Sequence, residues 1–255
     1  MAHFPTFKFV LLTILSIVCS KVISANNTIK ICHEANHYPP YISLKDSEPE
    51  GILVDIIIDA SQKVEQSIEL YSNSWIRCQQ DVMAGRAQAL FAMVNTDKRQ
   101  KEFAFPPQEN LNSWYMWLAQ YPVFTPENSK FDVNSYQPQQ GIGAPLGYVV
   151  WNRLKQKKWL SPFQYEPIEG LKMLGVHKLD GYVVERLIGL KLMQENNLMS
   201  KVKINHYSVL DTQWYLPFNK GFYNRNKILV HRLWKHMSVQ REIIKHKVEE
   251  SLILQ

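Results

Sequence analysis

The chain has 255 residues, with 29 Lys and Arg against 23 Asp and Glu, for a formal net charge of +6. That length suits one large domain or two lobes sharing a chain. The positive excess is small and scattered rather than massed, which argues against a nucleic-acid partner and favours small anions only weakly.

The N-terminus reads as a targeting segment. Lys8 precedes an apolar run from Phe9 to Cys19, and small residues follow up to Ser24 and Ala25. The run falls short of the roughly 20 residues needed to span a bilayer. Residues 1–25 are therefore expected to be a cleaved signal peptide, with Ile23 and Ala25 at the −3 and −1 positions. Cys19 follows Val18, which is bulkier than a lipid-attachment motif places there, so lipidation is not expected. Cleavage removes Lys8 and Lys21 and leaves a mature charge of +4. The mature protein is expected in the periplasm.

Ile29 to Glu34 reads as a strand, followed by the turn-rich Asn36-His37-Tyr38-Pro39-Pro40-Tyr41. Two successive prolines remove two donors and fix φ, so this segment must be a loop. Gly51 precedes a helix in which Leu53, Ile57, Ala60 and Val64 recur at helical spacing. Ser67 to Ser72 reads as a strand, and Trp75 to Ala84 as a helix stopped by Gly85. Ala89 to Val94 is an unbroken apolar run of the length of a buried strand. Strands alternating with helices predict a parallel sheet covered by helices.

Ser113 to Phe124 is aromatic-rich and reads as extended, and a polar, Pro-punctuated stretch runs from Thr125 to Gln140. A second α/β pattern follows. Gly141 to Ala144, Gly181 to Val184 and Val202 to Tyr207 read as strands, with helices over Tyr148–Gln156 and Arg186–Gln194. Trp214 to Phe218 reads as extended, and Asn224 to Leu254 as helix with a break near Ser238.

Two cysteines remain after cleavage, Cys32 and Cys78. An even pair in an oxidising compartment suggests a disulfide, which would add ~4 kcal/mol in the chain-entropy model. Two buried free thiols are the other reading. His33 and His37 have no partners at metal-ligand spacing, so packing or solvent roles are expected and no metal is. Gly141-Ile142-Gly143-Ala144-Pro145-Leu146-Gly147 has the wrong spacing for a dinucleotide loop, and Pro145 interrupts it. No nucleophile–base arrangement is legible, and no cofactor is expected.

A set of short motifs occurs in a fixed order. Tyr38-Pro39-Pro40-Tyr41 and Gly51-Ile52-Leu53-Val54-Asp55 come first, then Trp75 with Gly85. Thr96-Asp97-Lys98-Arg99 and Phe103-Ala104-Phe105-Pro106 follow. Leu179-Asp180-Gly181 with Glu185, and Tyr215-Leu216-Pro217-Phe218-Asn219-Lys220, complete the set. In these motifs the mature chain resembles the bacterial family 3 extracellular solute-binding proteins, the amino-acid-binding-like type II periplasmic binding proteins.

The resemblance implies an α/β fold of two lobes with a ligand cleft between them. Lobe 1 would span 26–119 and 213–255 and lobe 2 would span 120–212, joined by crossovers near 119–124 and 207–213. It implies capture of a small carboxylate-bearing ligand by hinge closure, for an ABC-type uptake system with a transporter permease as partner, the binding protein itself being a monomer and not an enzyme.

Arg99 follows a buried strand and a Thr-Asp turn, where strand ends meet the crevice of an open sheet. The resemblance makes it the carboxylate anchor, a role suited to a bidentate guanidinium. Tyr38 and Trp75 would be aromatic walls, and Tyr41 packing. Glu185 would pair with the ligand's ammonium, or serve only as an acid at a helix N-terminus. Gly147 opens a second-lobe helix whose free N–H groups can receive an anion.

This sequence departs from the family pattern at Tyr148, where a small hydroxyl residue is usual. It departs again at Ala92 and Val94, which leave Asn95 as the nearest polar side chain. The expected cargo is therefore carboxylate-like rather than strictly an α-amino acid. An orphan or ligand-sensing module without a transporter, and a periplasmic dehydratase using Glu185 as general acid, are the alternatives.

Overall fold

The computed structural model describes residue 1 and residues 28–35, 38–45 and 48–253. The expected signal peptide and His37 lie outside these residues. The first element is strand β1 (Ile29–Glu34). A small hairpin of β2 (Ser43–Lys45) and β3 (Glu48–Glu50) follows, then helix α1 (Ile52–Lys63). Strand β4 (Ile68–Asn73) and helix α2 (Trp75–Met83) come next. The next elements are short: β5 (Ala89–Leu90), β6 (Met93–Val94), α3 (Asp97–Glu102) and β7 (Phe103–Ala104).

The long strand β8 (Trp117–Pro126) leads to β9 (Ile142–Gly143) and helices α4 (Val149–Gln156) and α5 (Pro167–Gly175). Strand β10 (Gly181–Val183), helix α6 (Arg186–Glu195) and the long strand β11 (Val202–Tyr215) continue the chain. It ends with β12 (Phe218–Asn219), α7 (Lys220–Arg225) and α8 (Lys227–Ile253).

Two five-stranded sheets organise these elements into two α/β lobes, with strand orders β4-β1-β5-β12-β7 and β6-β11-β8-β10-β9. In the first, β1 runs parallel to both β4 and β5, as the strand–helix alternation predicts. Helix α1 buries Ile52, Leu53, Val54, Ile56, Ile57 and Ala60, a stripe too wide for a helix covered on one side only. Helix α8 packs against it through Val230, Leu233, Trp234 and Met237, all buried. The disulfide is present: Cys32 of β1 bonds Cys78 of α2.

The loop before α1 is held by its own carbonyls. Ile52 N donates to Pro40 O and Leu53 N to Tyr41 O, so two unpaired donors of the helix start are satisfied by the Pro-Pro loop. Gly51 makes this approach feasible. Its φ is 124°, and a Cβ there would lie 2.6 Å from the Tyr41 carbonyl oxygen.

Strands β8 and β11 pair antiparallel from Trp117↔Trp214 to Val202↔Pro126 and pass through both expected crossover regions. Three sequence expectations need correction. Ala89–Val94 is not one strand: the chain leaves the first sheet after Leu90 and joins the second at Met93, where β6 pairs with Trp214 and Tyr215. An apolar run cannot reveal this bend, because both halves are buried. Val202–Tyr207 and the Trp214 segment are one strand, since ladder bonds to β8 carry the polar residues between them. Helix α8 does not break at Ser238, whose hydroxyl instead donates to Lys235 O within the helix.

Glu185 sits at the N-cap of α6, where Oε2 accepts from Leu187 N at 2.8 Å and Ile188 N at 3.2 Å. It is 2 % exposed. Burial pushes its carboxyl up to about 7, and the two N–H bonds only partly oppose this.

Two outcomes follow from these placements. Gly51→Ala is expected to destabilise the protein by at least roughly 1–3 kcal/mol from backbone strain alone, measured by urea unfolding. For Glu185, the folded protein holds a proton that the unfolded chain has released between pH 4.5 and about 7. Its contribution to stability is complete below pH 4.5 and is lost as pH rises through 7. Over that window stability should fall by on the order of 3 kcal/mol, and Glu185→Gln should flatten the profile of Tm against pH.

Candidate functional site

A cavity of about 50 Å³ lies where the lobes meet. Glu34, at the end of β1, and the Phe91–Ala92–Val94 bend form its first-lobe side, with Tyr38, Tyr41 and Trp75 as aromatic walls. Arg99 enters from α3. Tyr148, Val149 and Ile188 close it from the second lobe, and Tyr121 and Trp214 face it from the crossovers.

The local sequence explains how Arg99 is presented. Thr96 is the N-cap of α3 and its hydroxyl accepts from Arg99 N at 3.3 Å. The guanidinium folds back under the strand end, where Nη1 donates to Val94 O at 3.0 Å. Nη2 crosses to the other lobe and donates to Gly147 O at 3.2 Å. Arg99 is 8 % exposed. Burial pulls its pKa below the ordinary arginine value. Among the described residues no carboxylate lies at ion-pair distance from it.

Trp75 is the first residue of α2. Its ring centre lies 5.6 Å from the Arg99 guanidinium carbon, and its indole N–H is buried without a partner among the described residues. Gly147 lies against it at φ 82°, where a Cβ would come within 3.3 Å of the indole edge. Tyr148 caps α4 and sets its ring edge-on to Trp75, 6.1 Å between centres. Its hydroxyl donates to Glu34 Oε2 at 2.7 Å, across the cleft. Burial, followed by the Glu34 carboxylate, holds the Tyr148 phenol well above its usual range.

Arg99, Tyr38, Trp75 and Tyr148 thus line one cavity, with Gly147 touching two of them. The amide N–H groups around Gly147 were expected to face an anion, but its carbonyl is what Arg99 meets. Asn95 and Glu185 are not among the lining residues. The Asn95 side-chain oxygen is buried without a partner. Glu185 lines a second cavity of about 410 Å³, with Trp117, Gln120, Asp211 and Arg241. The helix-cap reading of Glu185 is the one its geometry fits. Tyr41 borders both cavities. His33 is packed: it is 3 % exposed, and its Nδ1 bonds the Glu34 carbonyl at 2.9 Å.

Sequence reasoning did not select Glu34, Tyr121, Trp214 or Ile188. A signal existed for Glu34, the single carboxylate of β1, placed at the strand's end. None existed for the crossover aromatics, because the bend at Phe91–Ala92 is what brings the cleft to them.

Comparisons with known proteins agree with this architecture. Among solved structures, a histidine kinase sensor domain with similarity to periplasmic binding proteins superposes with a TM-score of 0.70 at 16 % identity, covering 88 % of this chain and 95 % of that one. The arginine-, lysine-, histidine-binding protein ArtJ of Geobacillus stearothermophilus gives 0.66 at 13 %, covering 86 % and 90 %. An ancestral arginine-binding protein bound to arginine gives 0.69 at 17 %, covering 86 % and 97 %. No curated protein sequence matches the chain. The family model of the bacterial extracellular solute-binding proteins, family 3, matches residues 29–205. With that match spanning most of its length, the chain belongs to the family 3 bacterial extracellular solute-binding proteins.

Proposed function

We propose that this protein captures a small carboxylate-bearing solute, an amino acid or a relative of one, in the cavity between its lobes. The observation that carries the reading is Arg99: a buried guanidinium without a carboxylate partner among the described residues. A buried charge is costly unless paired, so an incoming carboxylate gains both Coulomb energy and bidentate hydrogen bonds. The unpartnered Trp75 N–H beside it is a further donor for the same anion. Glu34 gives the opposite end of the cavity the opposite sign, which suits a ligand carrying a donor or an ammonium.

Capture proceeds by hinge closure about the crossover segments near 119–124 and 207–213. The closed state is populated only to the extent that the ligand binds it preferentially. Lobe 1 (26–119 and 213–255) supplies Arg99, Tyr38, Trp75 and Glu34, and lobe 2 (120–212) supplies Gly147 and Tyr148. The protein acts outside the cytoplasm as a monomer, delivering its ligand to an ABC-type permease. The role is binding rather than turnover: Glu185, the acid a dehydratase would need at the ligand, borders the other cavity.

A sensing role is the second reading, favoured by the likeness in fold to a histidine kinase sensor domain. Deletion of the gene separates the two, since it abolishes uptake of the ligand under the transport role and leaves uptake intact under the sensing role.

A thermal-shift screen against amino acids, organic acids and oligopeptides tests the anchor, because a ligand of the folded state raises stability by RT ln(1 + [L]/Kd). Carboxylates are expected to be hits. Arg99→Ala should abolish their shifts, and Arg99→Lys should lose the bidentate geometry and weaken binding at least about tenfold. Carboxylate hits that survive Arg99→Ala would remove Arg99 from the site.

A further inference from the structure

Two protein groups of the second lobe reach the two polar ends of the cavity. The Gly147 carbonyl meets Arg99, and the Tyr148 hydroxyl meets Glu34. The Tyr148 ring fills the space between, edge-on to Trp75. What remains is about 50 Å³, whereas ordinary small-molecule sites hold roughly 300–1,000 Å³. So small a remainder suits only a short ligand.

We propose that Tyr148 is a specificity-determining residue, whose phenol seals the Glu34 end of the closed cleft and restricts it to short carboxylates of acetate or glycine size. The inference rests on the reading of Arg99 as the carboxylate anchor and adds the length of the ligand to it. The ring is held firmly enough to act as a wall. Its backbone is fixed as the N-cap of α4, where Gly147 passes against Trp75. Its far end is bonded to a carboxylate on the opposite lobe. A longer ligand would have to displace the ring and break its bond to Glu34.

The same geometry predicts a switch of preference on truncation. Tyr148→Ser removes the ring, enlarges the cavity toward Glu34, and leaves a carboxylate at one end with a guanidinium at the other. Long ligands that carry a carboxylate and a distal cation then fit, and short ones lose their close wall. Tyr148→Phe keeps the ring but loses its bond to Glu34, so it weakens the selection for length without reversing it.

Isothermal titration of the purified wild-type protein, Tyr148→Ser, Tyr148→Phe and Arg99→Ala with acetate, glycine, lysine and arginine tests this. Wild type is expected to bind glycine or acetate at least tenfold more tightly than arginine or lysine, Tyr148→Phe to keep that order by a smaller margin, and Tyr148→Ser to reverse it. Wild-type protein that binds arginine or lysine as tightly as glycine overturns the inference without recourse to any variant. An unchanged order in a folded Tyr148→Ser, with binding still lost in Arg99→Ala, overturns it while leaving the anchor in place. Absence of Arg99-dependent binding throughout overturns the anchor and the inference together.

Discussion

The antiparallel ladder between β8 and β11 is the constraint on which the rest of the molecule hangs. It runs from the Trp117–Trp214 pair beside the first lobe to the Pro126–Val202 pair deep in the second. Because β11 also accepts β6 at Trp214 and Tyr215, the ladder pulls the Phe91–Val94 segment out of the first sheet. That bend exposes the Val94 carbonyl to Arg99 and aligns Ala92 with the cleft. The ladder's register breaks between Ile204 and Leu210, so pairing is least regular in its middle. Such irregularities bend a strand and increase its local twist.

Around this frame, the site is a balance of unsatisfied groups. Among the described residues, Arg99 is desolvated without a counter-charge and the Trp75 N–H is buried without a partner. Each is costly in isolation. Tyr121 and Trp214 next to them form a satisfied pair, the indole donating to the phenol at 2.8 Å. The edge-on packing of Tyr41 on Trp117 and Trp214 keeps the rings in place. Rigid aromatic walls with a few uncompensated polar groups are the arrangement expected of a site prepared for a small polar ligand.

Much of this could be read in the sequence, and the reasons for the remainder are specific. The helix and strand elements of the first lobe were visible because Leu53, Ile57, Ala60 and Val64 repeat at helical spacing and Gly51 and Gly85 punctuate them. The disulfide was foreseeable because only two cysteines, Cys32 and Cys78, follow residue 25. The Thr96–Arg99 turn pointed to the anchor because a hydroxyl N-cap three residues before an arginine fixes where that side chain emerges. The split of Ala89–Val94 was hidden because burial on two different sheets gives the same apolar string as burial on one. Short α5 escaped for want of a clear apolar period. The partner of Tyr148 lay out of reach because Glu34 is 114 residues away, and only closure of the two lobes makes them neighbours. Glu185 carried two readings in the sequence, and the geometry of its helix cap fits one of them.

Strand β12 has one more consequence, for the order in which the protein can be assembled. It lies between β5 and β7 in the first sheet, although it is made of residues 218 and 219. The helix that covers α1 comes later still. A chain emerging from its N-terminus therefore cannot finish its first sheet until nearly all of it is available. Folding that must close so long a loop is slow and leaves strand edges exposed meanwhile.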